Sequence, residues 1–176
     1  MSLNALALKG LDARTALFVP ATRADRIPKA LASGADAVIV DLEDAVAPQD
    51  KDRARAALDA ALAADLHRAS ASPSSVSSAP GPQLWVRVNA GAPWCEDDLA
   101  LCARHAAVQA VMVPKAESAQ QMQAAFEACG RKPLVALIET AEGYARRDDV
   151  ASHPAVKRLA FGSIDFQLDL GISGEG

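Results

Sequence analysis

Leu134-Val135-Ala136-Leu137-Ile138-Glu139 and Leu159-Ala160-Phe161-Gly162-Ser163-Ile164-Asp165 are two largely apolar runs, each ending in a carboxylate. Short apolar runs of this kind read as strands buried on both faces, the mark of a parallel sheet. The strands of a parallel α/β fold end at one common mouth, and chemistry sits there. Two carboxylates meeting at that mouth repel unless a cation or a proton lies between them. Mg²⁺ takes one or two carboxylates and leaves its other positions to water and substrate oxygens. Glu139 and Asp165 are therefore the expected ligands of a divalent ion, with Mg²⁺ as the expected cofactor.

Outward from these two runs the chain alternates. Thr15 to Pro20, Ala37 to Asp41, Leu84 to Val88 and Ala110 to Val113 read as four earlier strands. Between them lie helical stretches at Ala24 to Ser33 (Thr22 a possible cap, Gly34 a stop), Asp50 to Ala64, Glu96 to His105 and Ser118 to Cys129. A short irregular helix is expected over Tyr144 to Ala151, and no terminal helix after Gly171. Strands alternating with helices predict a parallel sheet covered on both faces. Six such units fit either an open doubly wound sheet or most of an eight-fold barrel. No Gly-x-Gly-x-x-Gly turn follows the first strand, which weighs against a dinucleotide-binding sheet. Residues 1–176 read as one domain. Ala69 to Pro82 (ASASPSSVSSAPGP) interrupts it with Ser, Ala and Pro, and cannot bury enough apolar area to offset its ordering entropy. It reads as a flexible insertion.

Other residues that could carry chemistry also fall at strand ends. An arginine inside an apolar strand, as Arg87 is, is costly to bury unless it pairs with an anion. It can hold a substrate carboxylate in its fork, or form an internal salt bridge to Asp41 or Glu43. Asn89 can orient the same ligand or cap its loop. Asp41, Glu43 and Asp44 place three carboxylates within four residues. They are expected to support the metal's waters or the arginine rather than bind the ion. Lys115 could form an imine, as some aldolase lysines do. A metal pair makes that device redundant, so an electrostatic or structural role is expected. No histidine falls at a strand end, and no Gly-x-Ser-x-Gly elbow appears.

Composition sets the outer bounds. With 51% hydrophobic residues in 176, the chain can bury one core. Its net charge of −4 comes without a basic stripe, so no nucleic acid partner is expected. No apolar run reaches the ~20 residues that span a bilayer. No export signal is read at the N-terminus. Cys95, Cys102 and Cys129 are odd in number and lack metal-site spacing, so reduced thiols in the cytoplasm are expected.

Six stretches occur in order: Arg14-Thr15-Ala16-Leu17-Phe18-Val19-Pro20, Asp36 to Val46 (DAVIVDLEDAV), Trp85-Val86-Arg87-Val88-Asn89, Val111-Met112-Val113-Pro114-Lys115, Leu137-Ile138-Glu139-Thr140-Ala141 and Phe161-Gly162-Ser163-Ile164-Asp165. Together they resemble the citrate lyase beta-subunit-like family, which includes malyl-CoA and citramalyl-CoA lyases. The resemblance implies a TIM (β/α)₈ barrel of the phosphoenolpyruvate-binding type, of which about six units are present, usually assembled as a trimer. It implies Mg²⁺ on Glu139 and Asp165, and a substrate held by Arg87 together with Arg14 and Asn89. The implied reaction is reversible carbon–carbon cleavage of a 3-hydroxyacyl thioester, carried on CoA or an acyl carrier, into a 2-oxoacid and an acyl thioester. Thioester hydrolysis, a subunit role in an acyl-carrier-dependent lyase, and a non-catalytic barrel are the alternatives. A whole barrel needs about 200 residues or more, so a missing remainder is expected.

Overall fold

In the computed structural model, which describes residues 11–71 and 81–172, the apolar runs pair side by side in the order the chain makes them. The strands are β1 (Ala16–Pro20), β2 (Ala37–Asp41), β3 (Gln83–Arg87), β4 (Ala110–Val113), β5 (Leu134–Ile138) and β6 (Val156–Phe161). Each is parallel to its neighbour, in the order β1-β2-β3-β4-β5-β6. The helices are α1 (Ile27–Leu31), entered through a 3₁₀ segment at Ala21–Arg26, then α2 (Lys51–Ala71), α3 (Cys95–Arg104) and α4 (Ala119–Ala128), followed by the short α5 (Ala141–Ala145), α6 (Arg147–Ser152) and α7 (Ser163–Asp169). None is long and apolar enough to cross a membrane, among the described residues.

Alternate residues of each strand face opposite ways. Val38, Val40, Val86, Val111, Val113, Leu134, Ala136 and Ile138 pack in one core with residues from the helices, including Ile27, Leu58, Leu62, Leu101 and Met122. The intervening residues, Ile39, Trp85, Met112, Val135 and Leu137, form a second cluster that no helix enters. Helices therefore cover one face of the sheet, not both as the apolar runs suggest. The other face is buried by curling on itself. In a flat sheet five steps of about 4.8 Å would put β1 and β6 roughly 24 Å apart. Yet Arg158 on β6 donates from Nη1 to the carbonyl of Ala13, just before β1, and its guanidinium lies 5.9 Å from the centre of the Trp85 ring on β3. A sequential, one-sidedly covered, curled parallel sheet is not doubly wound. Among the described residues no ladder joins β6 to β1.

Several boundaries differ from the sequence reading. The sixth strand starts and ends three residues earlier than the run ending at Ile164, because the chain turns into α7 at Gly162. α7 is only seven residues long and buries none of them, so its one i,i+4 apolar pair, Ile164 and Leu168, is too short a pattern to mark a helix. Thr22 lies inside the 3₁₀ segment, which has no side-chain cap. α2 continues through Ala69–Ala71, which the Ser/Ala/Pro-rich insertion was expected to include. Residues 72–80 of that insertion lie outside the described residues. Cys95 is half-buried, Cys102 and Cys129 are buried, and all three are free thiols.

Candidate metal and substrate site

Strand parity puts three charged side chains on the inner, concave face at the C-terminal end of the sheet. Asp41 follows Ala37 and Ile39, Arg87 follows Trp85, and Glu139 follows Val135 and Leu137. Their strands end beside one another, so the charges meet. Arg87, Glu139, Asp165 and Asp44 line a single cavity of about 660 Å³. Its floor and walls come from all six strands, among them Phe18, Ile39, Trp85, Met112, Leu137 and Ala160.

Arg87 is held as a fork. Its Nε donates to Asp41 Oδ1 at 2.8 Å and its Nη2 to Asp41 Oδ2 at 2.6 Å. Nη1 donates to Asp44 Oδ2 at 2.9 Å and lies 3.2 Å from Glu43 Oε2. The Phe18 ring lies beneath the guanidinium, 5.3 Å from its carbon, a cation–π arrangement. Burial opposes the charge of Arg87, and the hydrogen bonds and charge of Asp41, with Glu43 and Asp44, more than offset that cost. Asp41 is itself fixed by the backbone N–H groups of Glu43 at 2.9 Å and Ala45 at 3.0 Å. The buried Lys51 spends its ammonium on the carbonyls of Leu42 and Glu43, at 2.8 and 2.6 Å, and so pins this loop to the start of α2.

Glu43 is the anomaly of the cluster. It is buried, and its Oε2 accepts no hydrogen bond, the Arg87 contact being within ion-pair range but off hydrogen-bond geometry. Burial, then the neighbouring Asp44, raise its pKa to about 7. Glu139, also buried, is pushed upward by burial first and by Asp165 as well; the Lys115 hydrogen bond and charge oppose the rise. Lys115 stands between these carboxylates. Its backbone N–H donates to Glu139 Oε1 at 3.0 Å, and its ammonium lies 3.4 Å from Asp165 Oδ2 and 3.9 Å from Glu43 Oε1.

The structure does not bring every candidate to this cavity. Asp165 lies not at a strand end but in the first turn of α7, and from there it lines the cavity. Arg14 precedes β1, where its backbone N–H donates to Asp36 at 2.9 Å, and it is not among the residues that line this cavity. Asn89 sits two residues beyond the end of β3, where strand parity no longer directs it. It donates to Asp98 Oδ2 at 2.7 Å and lines a different cavity, between α3 and α4. The sequence reading also misses Gly162. A Cβ there would lie 2.7 Å from Glu139 Oε2 and 2.8 Å from Glu139 Cβ. Only its parity on β6, two residues after Ala160, hints at that contact. Among the described residues no group of three or more His, Cys, Asp or Glu side chains forms a ready-made cage. The donor set nonetheless suits Mg²⁺: two carboxylates, hard oxygens only, opening on a space with room for waters and substrate oxygens.

Comparison with known proteins places this geometry. The family model for HpcH/HpaI aldolase/citrate lyase matches residues 14–176. The chain is 37% identical over 166 residues to the citrate lyase subunit beta-like protein of Deinococcus radiodurans, covering 90% of this chain and 54% of that one. It is 33% identical over 159 residues to the (3S)-malyl-CoA thioesterase of Cereibacter sphaeroides, covering 90% and 51%. Among solved structures it is similar to the Mycobacterium tuberculosis protein CitE in complex with magnesium, acetoacetate and coenzyme A, with TM-score 0.72, 34% identity, and 94% of this chain against 54% of that one covered. The chain thus spans about half the length of the curated relatives it matches. On this sequence match and this fold, the chain belongs to the HpcH/HpaI aldolase/citrate lyase family.

Proposed function

We propose that this chain forms most of the active-site wall of a Mg²⁺-dependent carbon–carbon lyase. Its substrates are 3-hydroxyacyl thioesters of the citryl-, malyl- or citramalyl-CoA type, formed from or cleaved to a 2-oxoacid and an acyl thioester. The observation that carries the reading is the convergence of Glu139, Asp165 and Arg87 on one cavity at the C-terminal ends of the strands. The complex of the similar Mycobacterium tuberculosis protein with magnesium, acetoacetate and coenzyme A supports the ligand classes. A (β/α)₈ barrel, of which these six units would be the greater part, supports the same placement of the site. A homo-oligomer, a trimer, is proposed on family resemblance alone. The three free thiols suit the cytoplasm.

In this reading Glu139 and Asp165 hold the ion, which when bound supplies Lewis-acid polarisation of a carbonyl oxygen. Arg87 recognises the carboxylate of the 2-oxoacid half. Asp41 holds the Nε–Nη2 edge of the guanidinium, so the exchangeable side is Nη1, whose partner Asp44 is the most exposed of the three carboxylates. An incoming carboxylate replaces Asp44 there and leaves the Asp41 fork intact. On cleavage the bonding pair passes to the α-carbon of the acyl thioester, which takes up a proton while the hydroxyl gives one up. The low-polarity walls of Phe18, Trp85, Met112 and Leu137 strengthen each of these charge interactions.

Thioester hydrolysis is the second reading, favoured by the malyl-CoA thioesterase relative. Product analysis with free CoA thioesters separates the two: a 2-oxoacid and acyl-CoA support the lyase, a free hydroxyacid and CoA the hydrolase. Calorimetry decides the metal. Mg²⁺ binding lost in Glu139→Gln supports the assignment, and unchanged binding overturns it.

A further inference from the structure

Lys115 has φ +46°, in the left-handed region that residues other than glycine leave unless the surroundings hold them. The surroundings here are explicit. Gln121, in the first turn of α4, reaches back over the loop after β4. Its Nε2 donates to the Lys115 carbonyl at 3.2 Å, and its Oε1 accepts from the Glu117 backbone N–H at 2.9 Å. Glu117 in turn accepts from the Thr140 hydroxyl at 2.8 Å, and that hydroxyl caps α5 by accepting from Gly143 N–H at 3.0 Å. The Ala116 N–H donates to the Leu137 carbonyl at 3.1 Å. Gly143 fits against this loop only because it lacks a Cβ, which would lie 2.5 Å from the Ala116 carbonyl oxygen. The loop is thus tied to the exit of β5 on both sides of Glu139.

The consequence falls on the carboxylates. Among the described residues Lys115 alone hydrogen-bonds both Glu139, through its backbone N–H, and Asp165, through its ammonium. This N–H belongs to the Pro114–Lys115 peptide and the carbonyl held by Gln121 to the Lys115–Ala116 peptide, so the left-handed turn at Lys115 fixes the orientation of one relative to the other. We propose that Gln121 is a positioning residue that locks Lys115 in this conformation, so that one lysine sets the orientation of both metal-binding carboxylates. The proposal rests on the metal assignment made above for Glu139 and Asp165. Gln121 itself touches neither carboxylate and acts through Lys115.

The test uses the full 176-residue chain, with Mn²⁺ alone as the probe, read by electron paramagnetic resonance, and with the Lys115 amide followed by hydrogen exchange. Gln121→Met keeps the volume of the side chain and removes both hydrogen bonds. The dissociation constant for Mn²⁺ is expected to rise about tenfold, the scale on which outer partners of metal ligands act. Protection of the Lys115 amide is expected to fall, with the thermal midpoint near that of the unaltered chain. Gln121→Glu, which keeps the acceptor for Glu117 and loses the donor to Lys115, should fall between the two. Unchanged Mn²⁺ affinity in Gln121→Met overturns the proposal. If the unaltered chain binds no Mn²⁺, the metal assignment falls. The lock is then judged on the Lys115 amide alone, and unchanged protection in Gln121→Met overturns it.

Discussion

At the scale of single residues, close contacts and unmatched charges decide the outcome. Gly162 lets the exit of β6 press against the Glu139 side chain. In Gly162→Ala the new Cβ would meet Glu139 at under 3 Å, so the carboxylate must turn away. Lost Mg²⁺ binding in calorimetry is expected, with a stability loss of about 1–3 kcal/mol from overpacking, measured by denaturant unfolding. Arg87→Lys keeps the charge and loses the planar fork. It is expected to raise KM for the 2-oxoacid in the condensation direction at least tenfold; unchanged KM would remove Arg87 from the substrate. Glu43 gives a pH signature. Its folded pKa is raised to about 7 from an ordinary value near 4.5, so the folded chain holds the proton more tightly than the unfolded chain. The stability this contributes is present below pH 4.5 and is lost as pH rises toward 7, at no more than about 1.4 kcal/mol per pH unit. Glu43→Gln cannot ionise and should flatten that slope in metal-free unfolding measurements between pH 4.5 and 7. An identical slope in both proteins would show that Glu43 ionises freely in the folded state.

At the scale of elements, the strands are legible because a buried parallel strand must be apolar along its length, and β2, β4 and β5 lie where their runs of Val, Ile, Leu, Ala and Met lie. The mouth charges Asp41, Arg87 and Glu139 are legible for the same reason, since a charge closing such a run can only sit at its end. Legibility stops where partners are distant in sequence or parity ends. Asn89 looks like a mouth residue, yet Asp98 claims it: Asp98 is wholly buried and accepts from both Asn89 and, at 2.8 Å, Arg55. Arg14 shares a motif with β1 but precedes that strand and does not line the cavity. α7 is hard to read because seven residues hold a single i,i+4 apolar pair. The Ser/Ala/Pro-rich segment divides in the same physical way. Its first residues, Ala69–Ala71, continue α2, while residues 72–80 join that helix to Gly81 before β3. Loop closure costs only about 0.6 kcal/mol per doubling of length. Replacing 72–80 by a short turn should therefore change the unfolding free energy by less than about 1 kcal/mol. A loss above about 2 kcal/mol would show that the segment packs against the fold.

At the scale of the molecule, the edges of the sheet govern what residues 1–176 can do alone. Among the described residues β1 and β6 each pair on one side only, and both carry exposed apolar side chains: Leu17 and Phe18 on β1, Leu159 and Phe161 on β6. Unpaired parallel edges with exposed apolar residues are a poor state in water and invite association. Phe18 and Phe161 also line the cavity, and among the described residues no strand joins β1 to β6 beside it. On the metal assignment proposed above, Mg²⁺ binding would need Glu139, Asp165 and the Lys115 loop, all on neighbouring units, and is expected in the 176-residue chain. Turnover needs more. Water entering through the open side raises the local dielectric and weakens what Arg87 and the ion can do for a developing charge. Two further βα units would close that side, and a family barrel of ordinary size implies about one hundred more residues. The decisive comparison sets residues 1–176 against a chain extended by that length with the corresponding segment of a family member. Similar Mg²⁺ dissociation constants are expected, with cleavage of a 3-hydroxyacyl-CoA at least a hundredfold faster in the extended chain. Equal turnover would mean that six units make a complete enzyme, and that the open wall between β1 and β6 is closed in solution by a second copy of the chain.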